Sequence, residues 1–177
     1  MPFFADDSLI TLRYAQRLID GYGLTWTDGI KVEGYSNLLW VLILAFFGKL
    51  GANMMLVARI LGILFTLTNI YLLIDYAKKK YTTAPKILLI VLFLFSTSAI
   101  VAVWAIGGLE NSLVSLLALI SITRYLEYQN TNDTRYLWFS SVSLGLLSIT
   151  RPDGVLLSVI IGLFHLISNR NDLKLFL

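Results

Sequence analysis

Five apolar segments limit what this chain can fold into more than any other feature of its sequence. The chain is 57% hydrophobic and only 14% charged, whereas a soluble domain carries about 25% charged residues. A helix needs about 20 apolar residues to cross the roughly 30 Å hydrocarbon core of a bilayer. The sequence therefore predicts an all-α, polytopic membrane helix bundle of about five transmembrane helices. Their predicted spans are residues 54–77, 87–106, 112–126, 136–149 and 155–168, of which the fourth and fifth are short.

Composition also excludes several kinds of site. The chain has no cysteine, so it has neither a disulfide framework nor a cysteine-ligated metal. Its single histidine, His165, lies in an apolar run and is predicted to be a buried packing residue. Residues 78–80 are the only lysine cluster, and they follow a predicted span. That cluster is typical of a topology anchor, so the expected partner is the lipid bilayer and not a nucleic acid.

The first 53 residues differ from the rest and form a predicted extracytoplasmic region ahead of the bundle of residues 54–177. An amphipathic helix is predicted from Asp6 to the glycines at 21 and 23. Its apolar arc comprises Leu9, Leu12, Ala15, Leu18 and Ile19, and its polar side comprises Arg13, Arg17 and Asp20. Residues 37–50 are apolar but too short to cross, which predicts a juxtamembrane helix with Trp40 near the lipid headgroups.

The distribution of basic residues predicts the orientation. Eight lysines and arginines lie in loops 78–86, 124–135 and 169–177, whereas loops 107–111 and 150–153 contain only Arg151. The positive-inside rule then places residues 1–53, Glu110 and Arg151 outside the cytoplasm of an integral protein of the cell membrane. If residues 37–50 crossed fully, residues 1–37 would instead be cytoplasmic. A charged outer segment needs a preceding span or signal, so we expect the chain to be a fragment.

An acidic pair opens the amphipathic helix. Asp6 and Asp7 are candidate catalytic residues, because a carboxylate at a helix N-terminus stays ionised and can accept a proton from a hydroxyl. The same pair could hold a divalent cation, Mg²⁺ or Mn²⁺, through its oxygens. The simpler alternative is that one of the two residues caps the helix.

Five further candidates for substrate binding lie on the same predicted side of the membrane: Glu33, Tyr35, Glu110, Arg151 and Asp153. Glu33 and Glu110 are acids at membrane boundaries, where a charge is costly, although either could be a loop or capping residue. Arg151 could receive an anionic phosphate, or could simply pair with Asp153 in a tight turn. Sugar stacking and an interfacial aromatic belt explain the N-terminal aromatics equally well; these are Tyr14, Tyr22, Trp26, Tyr35 and Trp40.

Taken together, these residues resemble the GT-C class of membrane glycosyltransferases. The similarity is carried by Asp6-Asp7-Ser8-Leu9-Ile10, Val32-Glu33-Gly34-Tyr35-Ser36-Asn37, Gly107-Gly108-Leu109-Glu110 and Thr150-Arg151-Pro152-Asp153-Gly154. The match is nearest to the terminal arabinofuranosyltransferase branch. It implies transfer of a sugar from a polyprenyl-phosphate carrier to a glycan or other hydroxyl acceptor outside the cytoplasm. It also implies that Asp6 and Asp7 hold the position of the acidic pair that supplies the base.

The resemblance favours Asp6 as the proton-accepting group and places Glu33 and Glu110 where the class has further outer-loop acids. Attack opposite the phosphate would invert the anomeric centre. Two other functions stay open. One is a non-catalytic membrane scaffold derived from such an enzyme, and the other is a transporter, which the scarcity of ionisable residues within the spans disfavours.

Overall fold

The computed structural model describes residues 5–28, 34–80, 89–90, 93–95 and 97–168. Within them the chain forms helices and no strand, which confirms the all-α prediction. The helices are α1 (Asp6–Ile19), α2 (Leu38–Lys49), α3 (Met54–Lys80), α4 (Ala99–Ile106), α5 (Asn111–Thr131), α6 (Thr134–Thr150) and α7 (Asp153–Ser168).

The predicted number of five membrane spans is not confirmed. Of the described helices, only α3 is long and apolar enough to cross a membrane by itself, over Met54–Lys79. Helices α4 and α5 would together make a second span only if they form one broken segment, since they meet at 112°. Helices α2 and α7 are apolar but shorter. Three of the eight basic residues that predict the orientation, Lys86, Arg170 and Lys174, lie outside the described residues.

Helix α3 supports both halves of the structure. Helix α2 runs antiparallel along its first half, because the Trp40 ring lies 6.3 Å from that of Phe65 while Gly48 lies against Met54 near the connecting turn. Helix α5 begins halfway along α3, where the Ser112 hydroxyl is 2.9 Å from that of Thr66. The second half of α3 therefore packs on α5, and the start of α5 is level with the middle of α3.

Helix α1 ends as predicted, since the chain turns through positive φ at Gly21 and Gly23. The predicted distribution of its side chains is partly wrong. Leu9 is 51% exposed, whereas Arg17 is only 7% exposed. Arg17 is buried because its guanidinium donates to the Thr25 hydroxyl and to Asp28, 2.8 and 2.6 Å away, and stacks over Tyr22.

The core lies where α1 and α2 pack on α3, α5 and α6. It centres on fully buried Tyr14 and Trp40, with apolar residues of α5 and α6 around them. Trp40 is therefore enclosed by protein, and neither Tyr14 nor Trp40 has surface available to stack on a sugar. His165 is only half-buried and packs its ring against Tyr125 and Tyr128.

Candidate active site

The turn between α4 and α5 is tied to both N-terminal helices. The Gly107 carbonyl accepts hydrogen bonds from the Ala5 backbone N–H, at 3.0 Å, and from the Ser8 hydroxyl, at 2.8 Å. The Gly108 carbonyl accepts one from the indole N–H of Trp40 at 3.0 Å. Gly108 has a φ of +85°, which favours glycine. These bonds bring Glu110, two residues further on, against the start of α1.

Glu110 is 5% exposed, and both of its carboxylate oxygens are engaged. Oε2 accepts a hydrogen bond from the Asn37 side-chain amide at 2.7 Å. Oε1 lies 3.6 Å from a terminal nitrogen of Arg151. A buried carboxylate is tolerated when it is paired and hydrogen-bonded in this way. Glu110 therefore joins the start of α2 to the turn between α6 and α7.

The Arg151 turn follows from its sequence. A residue before proline is disfavoured in the helical region, so α6 ends at Thr150 and Arg151 is extended, with φ −153° and ψ 145°. Gly154 lets α7 begin close to α6, because a Cβ atom there would lie 2.5 Å from the Leu147 carbonyl oxygen.

The Arg151 guanidinium contacts more than one acid. Besides Glu110, it lies 3.2 Å from Asp153 Oδ2 and 3.4 Å from Asn111 Oδ1. The predicted local pair with Asp153 is thus present together with the contact to Glu110. Asp153 is largely solvent-exposed, whereas Glu110 is buried, so the Glu110 contact is the one shielded from water.

These elements enclose a cavity of about 600 Å³. Its lining includes four residues predicted from the sequence, which are Asp7, Tyr35, Glu110 and Arg151. It also includes residues that the sequence reasoning missed as site residues, namely Thr11, Asn37, Trp104 and Asn111. Asn37 is the last residue of one of the resembling segments and Asn111 directly follows another, and these positions were the one available signal for them.

The other predicted site residues lie elsewhere. Asp6 is exposed and does not line the cavity, and neither residue of the acidic pair caps α1, whose N-cap is Ala5. Asp153 reaches the site only through its contact with Arg151. Glu33 lies outside the described residues. The structure therefore unites Asp7, Glu110 and Arg151 from three separate parts of the sequence.

Comparison with known protein families identifies the family of this chain. The model of the Alg9-like mannosyltransferase family matches residues 33–177, which is most of the chain. The chain belongs to the Alg9-like mannosyltransferase family. No curated protein and no solved structure matches it.

Membership shows an enzyme family with the GT-C fold, whose members are membrane glycosyltransferases that use a lipid-linked sugar. It does not support the narrower resemblance to the arabinofuranosyltransferase branch. The matched range contains Glu110 and the Arg151 turn. Helix α1, with Asp6 and Asp7, precedes that range.

The aromatic residues of this Alg9-like chain have separate roles near the cavity. Tyr35 lines it and is held by Tyr14, whose ring centroid is 4.8 Å away and whose hydroxyl accepts the Gly34 N–H at 3.0 Å. Trp26 contacts the same Tyr14 ring but is partly exposed, at 42%. Of the five aromatics considered from the sequence, Tyr35 is thus the one that faces the cavity.

A metal ion at the cavity would find few ligands among the described residues. Among them, no group of three or more histidine, aspartate or glutamate side chains is placed to hold one. The cavity presents the carboxylates of Asp7 and Glu110, and Glu110 is already engaged by Asn37 and Arg151. No step proposed below passes through a metal, and the Mg²⁺ or Mn²⁺ site at Asp6 and Asp7 stays a prediction.

Proposed function

We propose that this protein transfers a mannosyl group from a polyprenyl-phosphate carrier to an acceptor hydroxyl on the extracytoplasmic side, with inversion at the anomeric carbon. The observation that carries the proposal is the shared cavity of Asp7, Glu110 and Arg151. It offers the Asp7 carboxylate and the Arg151 guanidinium, and this transfer requires a base and a cation for the phosphate. Membership of the Alg9-like family supports the mannosyl group and the lipid-linked donor.

Asp7 is the proposed general base. It lies in the first turn of α1, at the positive end of the helix dipole. Asp7 lines the cavity, whereas Glu110 is held by two partners. The Asp7 carboxylate therefore accepts the proton of the acceptor hydroxyl as its oxygen attacks the anomeric carbon.

Arg151 is the proposed phosphate-binding residue. As the bond between the anomeric carbon and the phosphate oxygen breaks, its electron pair leaves with the polyprenyl phosphate. The guanidinium stabilises this added charge, and phosphate leaves without a protein acid. Glu110 fixes the guanidinium from the protein side, so Arg151 is oriented before the donor binds. Attack opposite the departing phosphate inverts the centre.

The decisive experiment compares the two adjacent aspartates in the full chain, reconstituted in lipid with polyprenyl-phosphate mannose and a hydroxyl acceptor. Replacing Asp7 by Asn is expected to lower the transfer rate by about 10²- to 10⁴-fold, the usual contribution of a general base. Asp6→Asn is expected to keep most of the activity, because Asp6 lies outside the cavity. Exposed Asp20, at the far end of α1, provides a charge-matched control as Asp20→Asn.

Each other outcome has a defined meaning. Loss of activity in Asp6→Asn alone would assign the base to Asp6. Full transfer by both Asp6→Asn and Asp7→Asn would overturn the proposed mechanism. Mannosyl transfer in a lysate of cells that lack this chain would show that another enzyme carries out the reaction. That result would favour the scaffold function.

The extracytoplasmic side of the cavity is a separate part of the proposal, supported by the charge bias of the loops. The natural chain has no cysteine, so single cysteines can be labelled without background. An impermeant maleimide should label Gln16→Cys in intact cells and should label Lys78→Cys only after permeabilisation. Both positions are exposed. The reverse labelling pattern would put the cavity on the cytoplasmic side.

A further inference from the structure

Two buried polar atoms at the cavity have no hydrogen-bond partner among the described residues. They are Oδ1 of Asn37 and Nε of Arg151. Asn37 is 5% exposed, and both residues line the cavity. Buried polar atoms are nearly always hydrogen-bonded, so an unpartnered acceptor and an unpartnered donor on residues that line one cavity point to a ligand that supplies the missing partners.

The orientation of the Asn37 amide is fixed by chemistry. Its nitrogen donates to the Thr11 hydroxyl at 2.9 Å and to Glu110 Oε2 at 2.7 Å. An ionised carboxylate only accepts hydrogen bonds, so rotating the amide would set two acceptor oxygens against each other. Both amide hydrogens are thereby used. The oxygen is the group left for a ligand, and it can only accept.

The positions of the two vacant atoms constrain the ligand. The Asn37 amide and the Arg151 guanidinium contact opposite oxygens of the one Glu110 carboxylate. The two side chains therefore flank one carboxylate, an arrangement that favours a ligand whose phosphate and hydroxyl are adjacent. In a sugar phosphate the anomeric phosphate has two such neighbours, the ring oxygen and the 2-hydroxyl. The ring oxygen has no hydrogen to donate.

We propose that Asn37 is a substrate-binding residue whose Oδ1 accepts a hydrogen bond from the 2-hydroxyl of the donor sugar while Arg151 holds the adjacent phosphate. This inference rests on the proposed function and deepens it, because it assigns a residue that recognises the donor sugar. It makes Asn37 a specificity-determining residue against donors that lack this hydroxyl. A site built to hydrogen-bond a hydroxyl disfavours the analogue without it, since the protein group is then left unpaired.

The test measures binding of polyprenyl-phosphate mannose and of its 2-deoxy analogue to the full chain in lipid nanodiscs without acceptor. Binding is followed by tryptophan fluorescence, because Trp104 lines the cavity. Omitting the acceptor removes the effect of the 2-hydroxyl on intrinsic reactivity. The wild-type protein is expected to bind the 2-deoxy donor about 10- to 100-fold more weakly. The 4-deoxy donor serves as the control for loss of a hydroxyl elsewhere.

Variants separate this role from a structural one. In Asn37→Ala the two donors are expected to bind within about 2-fold of each other, whatever the overall affinity. In Thr11→Ala the Oδ1 atom remains, so the preference for the 2-hydroxyl should persist. A purely structural Asn37 would weaken both donors equally and leave their ratio unchanged.

The wild-type protein alone can overturn the inference, even if Asn37→Ala does not fold. Equal binding of the parent and 2-deoxy donors would mean that water or protein hydrogen-bonds to Oδ1, and that Asn37 does not recognise the 2-hydroxyl. Failure to bind any polyprenyl-phosphate mannose would instead contradict the proposed function itself. The two failures are therefore distinguishable.

Discussion

The cavity region and the outer surface of α6 and α7 differ in how deeply their side chains are buried. At the cavity, α1, α2 and the α4–α5 turn pack closely, with Tyr14 and Trp40 fully buried and Ser8, Thr11 and Asn37 hydrogen-bonded in the interior. On α6 and α7, large apolar side chains face outward instead. Examples are Trp138, Leu156 and Ile167, which are 72%, 65% and 73% exposed.

This difference separates a region that packs its own side chains from a region whose apolar surface must be covered by other molecules. The cavity half hydrogen-bonds Ser8 and Thr11 internally and buries Tyr14 and Trp40, as the interior of a soluble protein does. The α6–α7 half leaves apolar surface that needs lipid or other helices to cover it. Substitutions should therefore be felt strongly in the first half and weakly in the second.

The largest effect is expected from the arginine at the cavity. Arg151→Ala should lower kcat/KM for the polyprenyl-phosphate donor by about 10²- to 10³-fold, because it removes the phosphate cation and leaves Glu110 without its ion-pair partner. Arg135→Ala, at an exposed site at the start of α6, should change it less than about 2-fold. Steady-state transfer kinetics check both, and equal losses would remove the contrast between the halves.

A pair of glycines tests packing within one helix. At Gly154 an added methyl group would meet the Leu147 carbonyl at 2.5 Å, so Gly154→Ala should destabilise by about 1–3 kcal/mol. At Gly162, on the same helix, a methyl group meets nothing within 4 Å, so Gly162→Ala should be neutral or slightly stabilising. Thermal unfolding in one detergent measures both. Equal destabilisation would show that the distant part of α7 is packed as tightly as its start.

Two tryptophans sharpen the comparison further. Trp40→Phe leaves the Gly108 carbonyl without its indole donor and should cost about 1–2 kcal/mol, with reduced transfer activity because the turn that carries Glu110 loosens. Trp138→Phe should change stability by less than about 0.5 kcal/mol, since Trp138 is 72% exposed. Chemical unfolding of each variant, with activity assays alongside, provides the measurement.

The smallest effect is expected in the loop after α1. Asp28 pairs with Arg17, but its side chain is 83% exposed. Asp28→Asn should therefore change stability by less than about 0.5 kcal/mol. Arg17→Ala should cost more, because the buried guanidinium also holds Thr25 and Tyr22. If Asp28→Asn proved as damaging as Arg17→Ala, the exposed ion pair would be the main constraint on this loop.

Much of the fold was accessible from local sequence signals. Apolar runs, the two glycines after α1 and Pro152 predicted where helices lie and end, because those signals act within a few residues. The number of membrane-spanning helices was not accessible in this way, since the length of an apolar run does not show how α4 bends against α5. The buried state of Arg17 was also missed, because it depends on Thr25 and Asp28 folding back onto α1.

The candidate site was predictable in its charged members and not in its neutral ones. Asp7, Glu110 and Arg151 are conspicuous because ions are costly near a membrane, and the structure brings them to one cavity. The sequence could not decide which of Asp6 and Asp7 lines the cavity, because that depends on how α1 is rotated about its axis. Asn37 carries no charge, and its importance emerges only from its distance to Glu110, 73 residues away in sequence.

The start of α5 beside the middle of α3 sets a height for the chemistry. Thr66, which meets Ser112, is 12 residues from the first residue of α3, or about 18 Å of helix rise. Arg151 contacts Asn111 at the start of α5, so the cavity lies at this same level, near the midpoint of α3. The cavity therefore opens part-way along the one described helix that is long and apolar enough to cross a membrane by itself, with about three turns of α3 on one side of it.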